Sequence, residues 1–240
     1  MTAEVPQAAQ TKTLAVVGNP NTGKTTLFNA LTGLSQQIGN YPGVTVDRKI
    51  GKLRLSAETI DLLDLPGSYS LAAHSPDEMI VADVLIGRTA GVAPIEAVLA
   101  VVDATNVNRN LYLVSQVAEI GLPLVIALNM SDLAASRGIE IDHRALSERL
   151  GVPVVPTCAV RGEGLEELRR ALAALLERPQ ASLPHSAPRL PEDLEEAARQ
   201  LSGHPALADR GVRLPRIEAL RTLVDEGGYA EERLMEQMGA

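Results

Sequence analysis

Gly18-Asn19-Pro20-Asn21-Thr22-Gly23-Lys24-Thr25 decides the fold of this chain. The eight residues match the phosphate-loop pattern. They follow the aliphatic run Leu14–Val17 and open a helical candidate, Gly23–Leu31, which is the context that gives the pattern meaning. The glycines let successive backbone N–H groups converge on a phosphate, and the helix N-terminus adds positive potential. Lys24 is placed to bridge the β- and γ-phosphates, the Thr25 hydroxyl to ligate Mg²⁺, and Thr26 to extend the cradle into the first turn.

Downstream, short aliphatic runs alternate with helical candidates. The runs are Leu14–Val17, Ile60–Leu63, Val98–Val102, Leu124–Leu128 and Val152–Val155. Each is too short for a helix and is flanked by Gly, Pro, Asp or Asn, as buried parallel strands are. Between them lie Asp77–Ile86, Arg109–Ile120, Asp142–Leu150 and Leu165–Leu176, so the pattern predicts a doubly wound, mostly parallel α/β sheet. Arg48–Ser56 is more polar and reads as an edge strand. Pro179, Pro184, Pro188 and Pro191 then punctuate a stretch that can be neither helix nor central strand. Beyond it come three helical patches, Pro191–Leu201, Pro215–Leu223 and Tyr229–Gln237. The expected organisation is a flexible 1–11, a nucleotide-binding domain over 12–178, a Pro-rich linker over 179–190 and a small helical domain over 191–240.

Three more motifs sit at strand ends. Asp64-Leu65-Pro66-Gly67 follows Ile60–Leu63, so Asp64 can hold a magnesium-bound water and the Gly67 N–H can meet a γ-phosphate oxygen. Asn129-Met130-Ser131-Asp132 follows Leu124–Leu128. The acceptor-only carboxylate of Asp132 can take the N1–H and N2 amine of guanine, donors that adenine lacks. Ser131 or Asp132 would also serve as a helix N-cap, and both roles can hold together. Asn129 would brace the phosphate loop and the base loop. Thr157-Cys158-Ala159 ends the last strand and would bring a backbone N–H near the guanine O6. Between the phosphate loop and Asp64 lies Thr45, flanked by Gly43 and Val44, where a GTP switch places the threonine that closes onto Mg²⁺.

Composition narrows the partners. Of 240 residues, 45% are apolar and only 2% aromatic, so the core is aliphatic and platforms for stacking nucleic-acid bases are missing. The formal charge of −8 also disfavours a nucleic-acid surface. The single cysteine, Cys158, excludes an intrachain disulfide framework and fits a reducing compartment. His74, His143, His185 and His204 are scattered without ligand spacing, as surface or linker residues are. No run of about 18 apolar residues occurs, so the chain is expected to be soluble.

In this order the motifs resemble a small Ras/Era-type phosphate-loop GTPase. Gly18–Asn29 (GNPNTGKTTLFN), Asn40–Arg48 (NYPGVTVDR), Asp64–Leu71 (DLPGSYSL), Asp103–Leu113 (DATNVNRNLYL) and Ala127–Asp132 (ALNMSD) are similar to the cytosolic N-terminal G domain of FeoB, the bacterial ferrous iron transporter. The resemblance runs from Lys12 to Leu176, and Leu214–Leu220 extends it into the family's small helical domain. It implies a GTPase with GTP and GDP as ligands and Mg²⁺ as cofactor. It also implies K⁺ held by Asn21 and backbone carbonyls of Gly39 and Tyr41. The implied partners are a membrane domain of the same full-length protein and small cytosolic accessory proteins of iron transport, with no nucleic acid. The fragment is then expected in the cytoplasm, and the full-length protein in the bacterial inner membrane. Two departures stand out: Met130 occupies the usual Lys position, although Met is common in this family, and Cys158-Ala159 replaces the base-loop Ser-Ala pair. Ser68 stands where many GTPases carry a water-orienting Gln, so slow intrinsic turnover is expected. An RNA- or ribosome-associated Era-type GTPase is the alternative.

Overall fold

A computed structural model describes residues 11–33, 36–41, 45–56, 58–71, 75–179, 191–225 and 227–239. Gly43, Val44, His74, residues 1–10 and most of the expected linker, 180–190 with His185, lie outside them.

Seven strands form one sheet in the order β2-β3-β4-β1-β5-β6-β7. They are β1 (Thr13–Gly18), β2 (Gln36–Asn40), β3 (Asp47–Arg54), β4 (Thr59–Asp64), β5 (Ile95–Asp103), β6 (Leu124–Asn129) and β7 (Val154–Pro156). From β4 through β7 all neighbours are parallel; β3 pairs antiparallel with both β2 and β4. The edge is therefore β2, and Arg48–Ser56, expected at the edge, supplies a strand one place inside it. Gln36–Asn40 escaped the sequence reading because it is short and mostly polar, with its faces exposed.

The central strands bury both faces, as their unbroken aliphatic runs require. Ala15, Val17, Val98, Ala100 and Val102 pack under α2 (Pro76–Leu85) and α3 (Val107–Ile120). Leu14, Val16, Leu99, Val101 and Val125 pack under α1 (Lys24–Thr32) and α6 (Leu165–Glu177). Helix α2 starts where its sequence says it should. The Ser75 side chain accepts the Glu78 N–H, Pro76 opens the first turn, and Asp77 and Glu78 face the positive end of the dipole.

Two further helices close this layer, α4 (Ser131–Ser136) and α5 (His143–Leu150). The N-cap position of α4 belongs to Met130, in left-handed conformation with φ 60, and not to Ser131 or Asp132. Ser131 Oγ instead donates to Leu128 O at 2.7 Å. After 190 come α7 (Glu192–Ser202), α8 (Pro205–Asp209), α9 (Arg216–Val224) and α10 (Tyr229–Met238), which share an apolar cluster of their own around Ala198, Leu207, Ala219 and Leu220. Short α8 was not foreseen; His204 caps it by accepting the Ala206 N–H. Ion pairs Arg88–Glu218 and Arg233–Asp83 dock this group on α2 and the turn after it. Among the described residues no helix is long and apolar enough to cross a membrane.

Candidate functional site

The parallel strands end side by side. The register sets Val16 beside Asp64 and Asp103 beside Asn129, so the segments after β1, β4, β6 and β7 gather at one edge of the sheet. In open α/β sheets ligands bind at that edge.

The phosphate loop leaves β1 at Gly18 and turns through Asn21 and Gly23, both with positive φ (66 and 78). Thr22 closes the turn, its Oγ1 donating to Asn19 O at 2.9 Å. Only glycine suits position 23, because a Cβ there would collide with Asn129 Nδ2 as well as strain the backbone. No side chain caps α1, so its first N–H groups and its dipole face the loop's concavity.

Lys24 Nζ and Asp64 Oδ1 form an ion pair at the floor of this concavity, with the two residues 9% and 6% exposed. Thr25 is exposed at the start of α1 and Thr45 is exposed between β2 and β3. The structure thus brings Lys24 and Asp64 together but leaves Thr45 on the surface. Two hydroxyls and one carboxylate are hard oxygen donors. That set suits Mg²⁺, which takes one or two carboxylates and completes its shell with phosphates and water. Among the described residues no three His, Cys, Asp or Glu side chains cluster as an all-protein metal cage would demand. Asn21, exposed at the loop's mouth, offers a neutral amide oxygen. Gly39 lies in β2 paired opposite Arg48, and Tyr41 is 2% exposed just beyond it. Burial raises the Tyr41 hydroxyl pKa against the opposing pull of Arg48.

Asn129 ties the two ends of the site together. Its Nδ2 donates to Thr22 O at 2.9 Å, while its Oδ1 accepts from Ala159 N at 3.1 Å and Thr157 Oγ1 at 3.3 Å. Beside it opens a cleft of about 410 Å³ between Gly23 and Thr26 on one wall and Met130, Asp132, Cys158 and Val160 on the other. The neighbouring Cys158 thiol is the first of several groups that hold the Asp132 carboxyl below the ordinary aspartate range; the Leu133 N–H and the Arg161 guanidinium, 3.5 Å away, add to it. Burial and the neighbouring carboxylate push the thiol itself up, which disfavours the thiolate a nucleophile needs.

The N–H groups of Thr157, Cys158 and Ala159 are spent on Leu128 O, Glu163 O and Asn129 Oδ1. The next, from Val160, meets no acceptor among the described residues, and its side chain is 86% exposed at the cleft. Val160 and Arg161 line the same cleft just beyond Ala159, where the sequence reading stops, and the Cys158–Glu163 bridge that turns the chain there has no sequence motif to announce it.

Gly67 lies against the phosphate loop, where a Cβ would stand 3.3 Å from Pro20 Cα. Its N–H has no acceptor among the described residues. Ser68 does not stand in for a glutamine: it is 1% exposed, and its hydroxyl is spent on the Ser70 carbonyl.

Comparison with known proteins agrees with this geometry. A family model described as ferrous iron transport protein B matches residues 12–172. The Fe(2+) transporter FeoB of Escherichia coli (strain K12) is 41% identical over 202 residues, 82% of this chain and 26% of that protein. The chain thus spans about a quarter of the length of such curated relatives. The cytosolic domain of L. pneumophila FeoB superposes with a TM-score of 0.75 at 35% identity, covering 95% of this chain and 94% of the other. The cytosolic domain of T. maritima FeoB in its GMPPNP form gives 0.78 at 35% identity, covering 95% and 86%.

Proposed function

The chain belongs to the ferrous iron transport protein B family, and we propose that it is the GTP-binding and GTP-hydrolysing part of a bacterial ferrous iron transporter, a Mg²⁺-dependent and potassium-stimulated switch on the cytoplasmic side of the membrane. One observation carries the reading: the Asn129 side chain holds the phosphate loop and the base loop at a fixed spacing. Such a clasp has a purpose only if one ligand must fill both ends, as a nucleoside phosphate does. The Asp132 carboxylate selects guanine at the base end. Forms of the T. maritima protein described with GDP and with GMPPNP support a guanine nucleotide here.

In this mechanism Lys24 exchanges Asp64 for the β- and γ-phosphates, and Thr25, the freed Asp64 through a water and, after closure, Thr45 would hold Mg²⁺. When bound, Mg²⁺ supplies positive charge to the phosphate oxygens. The Gly67 N–H orients the γ-phosphate, and Val160 offers its N–H to the guanine O6. With Ser68 spent, no side chain of this loop orients the attacking water. Asn21 and the carbonyls of Gly39 and Tyr41 would hold K⁺, which would supply positive charge beside the phosphates. Thr45 and the β2 segment close only when the γ-phosphate is present, and that closure is the switch. The partner that reads the switch is the membrane part of the same polypeptide, with small accessory proteins beside it.

The test measures binding of fluorescent GDP, GTP and ATP analogues. It then follows phosphate release in single turnovers, in potassium and sodium chloride at equal ionic strength, for wild type and Asn21→Ala. Guanine-selective binding and hydrolysis that potassium speeds in wild type alone are expected. Equal binding of ATP, or no phosphate release, would overturn the proposal.

A further inference from the structure

We infer that helix α3 is a rail that positions the Gly67–Leu71 segment for hydrolysis, through two residues outside the nucleotide site, Arg109 and Gln116. The inference rests on the GTPase reading above. Arg109 lays its guanidinium over the ring of Tyr69, 4.4 Å from the centroid. Two turns further along, Gln116 Oε1 accepts the Leu71 N–H at 2.7 Å. Residues seven apart share one stripe of a helix, so a single face of α3 grips two alternate residues of the segment.

The grip completes a structure fixed at its other end. Ser68 N donates to Gly18 O at 3.2 Å, and the Ser68 hydroxyl bonds both the carbonyl and the N–H of Ser70. The segment is therefore pinned to the phosphate loop at Ser68, folded on itself at Ser70 and held by α3 at Tyr69 and Leu71. The Gly67 N–H, left without an acceptor among the described residues, is aligned by these pins.

The rail matters because of what this loop lacks. A GTPase that orients water with a glutamine side chain tolerates some backbone freedom, since the side chain searches for its own position. Here the Ser68 hydroxyl is buried and spent and its N–H is taken by Gly18 O, so positioning falls to the backbone N–H of Gly67. Small misplacement of a positioning group costs rate steeply. Arg109 and Gln116 are positioning residues acting through Tyr69 and Leu71, and neither touches the nucleotide.

The experiment combines single-turnover phosphate release, GDP affinity and hydrogen exchange of the 67–71 amides in Arg109→Ala, Gln116→Ala, Tyr69→Ala, Tyr69→Phe and the Arg109→Ala/Tyr69→Ala double variant. Arg109→Ala and Tyr69→Ala should each slow hydrolysis about two- to fivefold, the range of an exposed cation–π contact. Gln116→Ala should slow it about two- to tenfold, as loss of one hydrogen bond does. GDP affinity should not move. Tyr69→Phe, which keeps a ring beneath the guanidinium, should hydrolyse like wild type, and the double variant should be no slower than either single one. Wild-type rates in Arg109→Ala and Gln116→Ala, additive losses in the double variant, or a parallel fall in GDP affinity would overturn the rail. Exchange separates this idea from the GTPase reading. If wild type releases no phosphate, that reading fails, whereas the rail fails if the Leu71 amide exchanges no faster in Gln116→Ala.

Discussion

Lys24 and Asp64 neutralise each other across the gap between the phosphate loop and the end of β4, ammonium on carboxylate, with little of either in water. On the proposed function each charge turns to the nucleotide, and each would be costly to bury alone. The pair keeps the nucleotide-free fold from carrying two unpaired charges at its centre.

Breaking the pair from one side should therefore destabilise the free protein before any effect on catalysis is read. Lys24→Ala leaves a buried carboxylate unpaired, and Asp64→Ala leaves a buried ammonium. Each should lose about 3 kcal/mol of unfolding free energy, as broken buried pairs do. Urea unfolding without nucleotide checks this, and Lys24→Met/Asp64→Leu, which removes both charges, should recover most of the loss. A double variant as unstable as the sum of the singles would show that the two side chains act separately.

On the proposed function Asp132 is the residue that sets base choice. Asp132→Asn should weaken GDP binding about tenfold or more and favour xanthosine nucleotides, whose O2 acceptor meets the new amide. Competition titrations with GDP and xanthosine diphosphate read both effects. Unaltered preference would take Asp132 out of the site.

These groups differ in how far the sequence exposed them. Leu14–Val17, Val98–Val102 and Leu124–Leu128 were legible as buried strands because both of their faces meet helices, which leaves continuous aliphatic runs. The phosphate loop was legible because its glycines and Lys24 answer to local geometry. Gln36–Asn40 was not, since a polar edge strand carries no pattern beyond its pairing with β3. Met130 hid the start of α4, as a left-handed non-glycine residue leaves no compositional mark. Arg109, Gln116, Val160 and Arg161 were invisible as site neighbours because their partners lie far away in sequence or depend on which donors are already spent.

The acid limb of nucleotide binding should depend on Cys158. Asp132 is held below the ordinary range first by the Cys158 thiol, then by backbone N–H groups and Arg161. A depressed carboxyl contributes fully above its unfolded value, and the contribution is lost as pH falls through the lowered folded value. Guanine affinity should therefore persist on mild acidification, with Asp132 still an acceptor. Cys158→Ala removes the first of those groups and should move the acid limb to higher pH. GDP titrations of both proteins between about pH 5 and pH 3 bracket the ordinary aspartate value. Superimposable limbs would mean that the thiol does not support Asp132.

Glu218 should couple the helical group to the sheet domain in a pH-dependent way. It sits in α9, pairs with Arg88 after α2 and leaves its second oxygen, Oε2, buried without a partner. Burial raises its pKa, against the opposing pull of Arg88 and Arg233. For a raised carboxyl the stabilising contribution is complete below the unfolded value and is lost as pH rises through the folded one. The docking of α9 should thus strengthen on mild acidification. Glu218→Gln keeps a hydrogen-bond acceptor for Arg88 and removes the titrating group, so its unfolding free energy should lose this pH dependence. Glu218→Ala strands the Arg88 guanidinium beside the Arg213 carbonyl that also accepts from it, and should cost about 3 kcal/mol. Urea unfolding of the three proteins at about pH 7 and pH 4, above and below the ordinary carboxylate value, reads both effects. If Glu218→Gln follows the same pH dependence as wild type, the linkage lies with another group, and Glu119, whose pKa burial also raises next to Arg221, is the one to replace next.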